Sequence, residues 1–181
     1  DLRKATVGKG VYSHLLNEKG GLVDDIIAFC LALNRYLVIV NAATSTKDFK
    51  WLSAKAAKMN AKVENASDDY SMVAVQGPNV PKMMEVFAPE AVKLPRFGIV
   101  EKKLFGADCF ISRTGYTGED GFEITAPHAV IVEIWNKMME LAIDKEKAEE
   151  IRKRCQQEDP MVCSMCGKFC SMKIGKEMKK S

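Results

Sequence analysis

The stretch from Ile111 to Ile124 restricts the fold more than any other part of the chain. It places Gly115, Gly118 and Gly121 among Tyr116, Glu119 and Asp120. Glycine opens backbone conformations that a Cβ forbids, so a glycine at every third position breaks a helix and favours a tight strand–turn–strand. Apolar Ile111 leads in, and Phe122-Glu123-Ile124-Thr125 leads out with the two-residue alternation of a strand. The pattern predicts a hairpin with Tyr116 and Glu123 on rigid strands at its base. Two readings are open on pattern alone. The acids of the hairpin face water, or they line a site.

The rest of the chain fits a folded domain of ordinary composition. Its 181 residues are 47% hydrophobic and 28% charged, enough to bury a sizeable core without disulfides. A net charge of +3 gives no argument for nucleic acid. No apolar run approaches the roughly 18 residues of a membrane span, and no signal peptide is evident. The chain opens on Asp1 with residues that read as the middle of something, so a missing N-terminal part is expected. Cys30 and Cys109 sit in apolar runs and read as small core residues, whereas Cys155, Cys163, Cys166 and Cys170 crowd the tail. That uneven use argues against a disulfide framework and for a reducing, cytoplasmic setting with a metal-type cluster at the end.

In order, Val11–Leu16, Leu22–Phe29 and Tyr36–Val40 read as strands, with Asn17-Glu18-Lys19-Gly20-Gly21 as the first turn. The second strand holds a conflict. Alternate residues share a face, so Val23, Asp25, Ile27 and Phe29 lie on one side and Leu22, Asp24, Ile26 and Ala28 on the other. Both faces are apolar and each carries an aspartate. A buried carboxylate needs a partner or a ligand. Alternatively the strand begins later, with Asp24 in the turn and Asp25 bonding backbone amides. Asn41 ends the third strand, either as a turn residue or as an amide beside a pocket. Ser45 and Asp48 are spaced as a capping box, and Phe49, Leu52, Ala56 and Met59 follow at helical spacing. Lys62–Asn65 and Tyr70–Gln76 read as strands, and Val80, Met83, Met84 and Phe87 as the apolar face of a helix. An irregular connection between Pro89 and Pro95 leads to strands over Gly98–Phe105 and Asp108–Ser112. An amphipathic helix runs from His128 to Ala142 with Ile131, Ile134, Trp135, Met138 and Leu141 inward, and a solvated histidine is expected at its start. Strands alternate with three helices through hairpin connections. The expected class is α+β with mainly antiparallel sheet and packed helices. The character changes near Asp144, giving a domain over residues 1–143 and, over residues 144–181, a charge-dense helix with a cysteine-rich tail.

Arg113-Thr114-Gly115-Tyr116-Thr117-Gly118-Glu119-Asp120-Gly121-Phe122-Glu123-Ile124 closely resembles the signature of the glycine-cleavage T-proteins, the tetrahydrofolate-dependent aminomethyltransferases. Leu16–Asp25 resembles that family's acidic hairpin. Val40-Asn41-Ala42-Ala43 with Lys47-Asp48, Ser67-Asp68-Asp69-Tyr70 and Val75-Gln76-Gly77-Pro78 match in the same order, so the likeness spans residues 1–142. The resemblance implies a folate-binding lobe, truncated at both ends relative to the longer family members, and lacking a later arginine that helps hold folate. It makes Asp25 the essential carboxylate near the reactive nitrogens of tetrahydrofolate. Glu123 accepts from the amide-like edge of the pterin, Tyr12 and Tyr116 line the pocket, and Asn41 contacts the cofactor. Phe29 stands where the family usually has a tyrosine. The implied reaction passes the one-carbon unit from an aminomethyl-lipoyl carrier (H) protein to tetrahydrofolate, with release of ammonia. Asp25 stabilises the positive charge that develops. A non-catalytic folate-binding module of the same family is the alternative. The tail, Cys163-Ser164-Met165-Cys166-Gly167-Lys168-Phe169-Cys170, resembles the C-terminus of the phosphomethylpyrimidine synthase family. There three cysteines hold a [4Fe–4S] cluster with one open iron, which makes Cys163, Cys166 and Cys170 candidate metal ligands. A fusion or fragment carrying such an iron–sulfur tail is the further alternative. The spacing here is one residue shorter than that family's motif, and Cys155 as a fourth ligand favours zinc or a closed cluster.

Overall fold

The computed structural model describes residues 5–142 and residue 146. The chain divides into two compact units. Residues to Ile39 and Glu64 to Ile143 belong to the first, and Val40–Val63 to the second.

The first unit contains both sheets. Strands β1 (Lys9–Leu16), β2 (Leu22–Ala32) and β3 (Arg35–Ile39) form an antiparallel sheet in that order. Strands β4 (Tyr70–Gln76), β5 (Ile99–Leu104), β6 (Ala107–Ser112) and β7 (Gly121–Pro127) form a second, ordered β4-β7-β6-β5. The β1–β2 turn closes because Gly20 takes φ +78° and the Asn17 side-chain oxygen accepts from the amides of Lys19 and Gly21, each at 2.9 Å. Strand β7 is central and buried almost throughout, and its alternation sorts its side chains to two faces. Phe122, Ile124 and Ala126 join Val73, Val75, Cys109 and Ile111 in a core with Val80 and Met84 of α2 (Val80–Phe87) and with Val130, Ile134 and Met138 of α4 (His128–Leu141). Glu123 and Thr125 occupy the other face.

The face opposite the helices meets the three-stranded sheet. Ile27 and Phe29 of β2 pack there with Ile99 and Phe110. Main-chain hydrogen bonds also join the sheets. Gly10 N–H donates to Phe97 O at 2.7 Å and Ile99 N–H to Gly8 O at 2.9 Å. Close approach at Gly10 depends on the missing side chain, because a Cβ there would lie 2.6 Å from the Phe29 ring.

Several expectations hold. Cys30 and Cys109 are buried free thiols, and burial raises the Cys109 thiol above its ordinary value. The methionine pair of α2 fills core, with Met84 fully buried and Met83 packed against the same cluster. Others need correction. Lys62–Asn65 is not a strand; it carries no ladder partner among the described residues. The connection after Pro89 contains a short helix, α3 (Pro89–Val92). His128 is exposed, as expected, and its Nε2–H donates to Asp68 O at 2.7 Å while its Nδ1 lies within hydrogen-bond distance of Ser71 Oγ at 2.8 Å. A carbonyl can only accept, so Nε2 carries a proton, whereas the Ser71 hydroxyl can either donate to or accept from Nδ1. The solvated histidine thus also ties the start of α4 to β4.

In the second unit a 3-10 turn (Ala42–Thr44) runs into α1 (Ser45–Ala56). The helix caps at Thr44, one residue before the expected Ser45, and Thr44 Oγ1 donates to Asp48 Oδ2 at 3.1 Å. Asp48 sits in the first turn, where the helix dipole favours an anion, with Lys47 Nζ 3.7 Å from its Oδ1. Met59 falls past the helix end and is 75% exposed, so it does not extend the apolar stripe. No described helix is long and apolar enough to cross a membrane.

Candidate functional site

Two carboxylates mark the facing sides of the two sheets. β2 starts at Leu22, so both Asp24 and Asp25 lie on the strand and neither lies in the turn. Asp24 is buried on the outer side, and its Oδ1 accepts the Asp25 amide at 2.9 Å. Asp25 shares its face with Ile27 and Phe29, towards the four-stranded sheet, and its Oδ2 accepts from the Tyr12 hydroxyl at 3.0 Å. Tyr12 stands on β1 with His14 edge-on to its ring, the centroids 5.4 Å apart. His14 is the register partner of Asp25.

Glu123 lies across from them on β7, 7% exposed, paired in register with Ser112 of β6 and Ala74 of β4. Its Oε2 accepts a short hydrogen bond from Thr114 Oγ1, and Ser112 Oγ lies 2.8 Å from the same Thr114 oxygen. Among the described residues its Oε1 receives no hydrogen bond.

Tyr116 links the two walls. The charges of Glu123 and Asp25 both raise its phenol above the ordinary value, after a first contribution from burial. The Tyr12 hydroxyl is likewise raised, first by its bond to Asp25 and also by Tyr116. Both phenols therefore stay protonated at neutral pH and serve as donors. Tyr116 stands on the β6–β7 loop and not on a strand, contrary to the sequence expectation. The connection is an eight-residue loop, from Arg113 to Asp120, rather than a tight turn.

That loop has a built neck. Arg113 grips Asp120 through two of its nitrogens and donates its Nη1 to Val92 O and Leu94 O, each at 2.8 Å. The pair raises the Arg113 guanidinium and lowers the Asp120 carboxyl. Beneath the loop Gln76 Nε2 donates to Thr114 O and Phe122 O, each at 3.1 Å. This explains two of the glycines. A Cβ at Gly115 would lie 2.0 Å from Gln76 Oε1, and one at Gly121 2.2 Å. Only Gly118 needs its glycine for conformation, with φ +79°. Asp120 shapes the loop through this ion pair. A separate depression of about 270 Å³, lined by Arg96, Arg113, Gly118, Glu119 and Asp120, includes none of Asp25, Tyr12, Tyr116 or Glu123.

Of the residues singled out in the sequence, Asp25, Tyr12, Tyr116 and Glu123 therefore come together in the first unit. Asn41 belongs to the second unit, where it is exposed and its carbonyl accepts from the Thr44 amide at 3.1 Å. Phe29 is 1% exposed within the apolar layer between the sheets. Cys155, Cys163, Cys166 and Cys170 lie outside the described residues. Ser112, Thr114 and Gln76 escaped the sequence reading. The only signal was a hydroxyl three residues before Thr117 and a glutamine before Gly77, neither distinct from ordinary turn chemistry.

Two antiparallel sheets, the four-stranded one backed by helices, with acids on their facing sides, define an α+β lobe. The chain belongs to the GCVT N-terminal domain family, whose model matches residues 1–148. An aminomethyltransferase of Caldanaerobacter subterraneus subsp. tengcongensis is 36% identical over 146 residues, 80% of this chain and 39% of the relative. One from Xanthomonas axonopodis pv. citri is 40% identical over 138 residues, 73% of this chain and 37% of the relative. The crystal structure of glycine cleavage system aminomethyltransferase T from Bartonella henselae matches with a TM-score of 0.65 at 30% identity, over 75% of this chain and 36% of that one. The chain thus spans less than two-fifths of the length of these relatives. A second family model, the Radical SAM ThiC family, matches residues 125–177.

Proposed function

We propose that this lobe binds tetrahydrofolate and serves an aminomethyltransferase of the glycine cleavage system. In this reading the one-carbon unit passes from an aminomethyl-lipoyl carrier protein to tetrahydrofolate and ammonia is released, in the cytoplasm. The proposal is carried by the placement of Asp25 and Glu123, on the facing sides of two different sheets, both near enough to Tyr116 for their charges to raise its phenol. A cleft with two acceptors and two phenol donors fits a flat heterocycle rich in N–H groups. Glu123 has one oxygen engaged and the other available, which suits an N–H and amino edge of a pterin. When bound, tetrahydrofolate supplies the nitrogens that take up the one-carbon unit. The chain's own residues orient and polarise. Tyr12 holds Asp25 through Oδ2, Asp25 opposes positive charge in the cleft, and the protonated Tyr116 donates from the loop.

Titration of the 181-residue chain with tetrahydrofolate, followed calorimetrically, tests the reading. Glu123→Gln is expected to weaken binding about ten-fold or more, because a charged acceptor is lost. Asp25→Asn is expected to abolish transfer in the aminomethyl-lipoyl assay. A chain that does not bind folate at millimolar concentration, or binds it equally well after Glu123→Gln, refutes the proposal.

A second reading concerns the tail alone and rests on the match over residues 125–177. Cys163, Cys166 and Cys170 would hold an iron–sulfur cluster. They lie outside the described residues, so no chemical step is derived through it. Iron and sulfide content after anaerobic purification checks it, and colourless protein without iron refutes it.

A further inference from the structure

We propose that Thr114 is the positioning residue for Glu123, backed by Ser112, and that together they fix which carboxylate oxygen of Glu123 is presented to the donors of a ligand. The inference rests on the folate reading of the cleft. Ser112, Thr114 and Glu123 are 5%, 8% and 7% exposed, so their polar atoms must satisfy one another. A hydroxyl donates once. Thr114 Oγ1 donates to Glu123 Oε2, so the same oxygen must accept from Ser112 Oγ at 2.8 Å. Ser112 has a second acceptor within reach, Glu123 O at 3.4 Å, and the shorter contact takes the proton. The result is a one-way chain from Ser112 to Thr114 to Glu123.

Each member is held from outside the chain of hydroxyls. Ser112 is the register partner of Glu123. Thr114 follows Arg113, whose amide donates to Gly98 O at 2.9 Å and whose carbonyl accepts from Phe97 at 3.0 Å. The carbonyl of Thr114 itself receives Gln76 Nε2 at 3.1 Å. With its backbone fixed on both sides, Thr114 Oγ1 has little freedom to leave Glu123. Oε2 is then engaged, the carboxylate plane is set, and Oε1 is presented to the ligand. A carboxylate held this way welcomes a ligand edge of ring N–H and amino donors and excludes one that offers a lone pair at the same point.

Tetrahydrofolate binding by the full chain tests the inference with four variants. Thr114→Val keeps the shape and removes the hydroxyl, and a loss of about ten-fold in affinity is expected, since a hydrogen bond to a charged group is removed. Thr114→Ser keeps the hydroxyl and is expected to bind within about three-fold of the parent, a rescue that a purely packing role would not give. Ser112→Ala removes the backing donor and is expected to weaken binding about three-fold; it decides the matter should Thr114→Val fail to fold. Glu123→Gln separates the two levels of the argument. If Glu123→Gln binds like the parent, the folate reading of the cleft fails. If Glu123→Gln is weakened while Thr114→Val and Ser112→Ala match the parent, the positioning role fails and the cleft reading stands.

Discussion

Substituting Gly115 by alanine probes how the signature loop is held. The φ of Gly115 lies outside the left-handed region, so alanine meets no backbone penalty there. The obstacle is Gln76: the new Cβ would stand 2.0 Å from Oε1, 2.5 Å from Cδ and 2.7 Å from Nε2. The amide must move by more than an ångström, and with it go the bonds to Thr114 O and Phe122 O. Losing both and leaving two carbonyls poorly satisfied costs about 2–4 kcal/mol. For a domain of this size that is a fall of roughly 6–12 °C in Tm. If the clash is with Gln76 and nothing else, removing Gln76 first removes the penalty. In a Gln76→Ala background, Gly115→Ala is expected to add less than about 1 kcal/mol, a coupling of at least about 1 kcal/mol. Urea or thermal unfolding of the parent, two single variants and the double variant measures this directly. Additive effects, within about 0.5 kcal/mol, would refute the account of why glycine stands at 115.

Asp120→Asn is expected to lower stability at neutral pH by about 1–2 kcal/mol, reduced from the full value of a bidentate pair because Asp120 is partly exposed. The Asp120 carboxyl is lowered by Arg113, so its contribution is present above the unfolded carboxyl range and is lost as pH falls through the lower folded value. Melting curves of parent and variant should therefore converge below about pH 4, and a constant gap would count against the ion pair. Phe29→Ala should cost about 3–5 kcal/mol by denaturant titration, since the ring is 1% exposed between the sheets. A cost below about 1 kcal/mol would mean the layer collapses around the cavity. Tyr12→Phe removes the donor to Asp25 from an exposed position. It should weaken tetrahydrofolate binding by several-fold while leaving Tm unchanged, and unaltered binding would detach Tyr12 from the cleft.

Most of the strands were legible because their alternation is strict and their turns are marked by glycine. β2 illustrates why the site was partly legible too. An aspartate on each of two apolar faces cannot be explained by solvent, and Asp25 does meet a partner, Tyr12. Glu123 was visible for the same reason, as an acid alternating with Phe122 and Ile124. Lys62–Asn65 deceived because a lone valine between polar residues imitates a strand edge, and the chain there finds no ladder. Thr44 displaced Ser45 as the cap because a 3-10 turn precedes the helix, and turn geometry is not written in residue type. The Ser112–Thr114–Glu123 chain was illegible for a different reason. It depends on the register of β6 against β7, and a shift of one residue would send Ser112 to the opposite face.

The stitches between Gly10 and Phe97 and between Ile99 and Gly8 bear on the cleft as a measuring device. Side-chain layers can swell or shrink as residues are exchanged, but a hydrogen-bonded backbone keeps its spacing. If Asp25 and Glu123 hold a flat ligand as proposed, its spacing would be set by these main-chain atoms, and the apolar filling between the sheets could vary without changing it. Specificity for ligand thickness and core composition are thereby separated. Exchanges at Ile27 or Phe110 should tune stability, whereas a residue that lost its amide at position 10, as proline would, should alter which ligands fit.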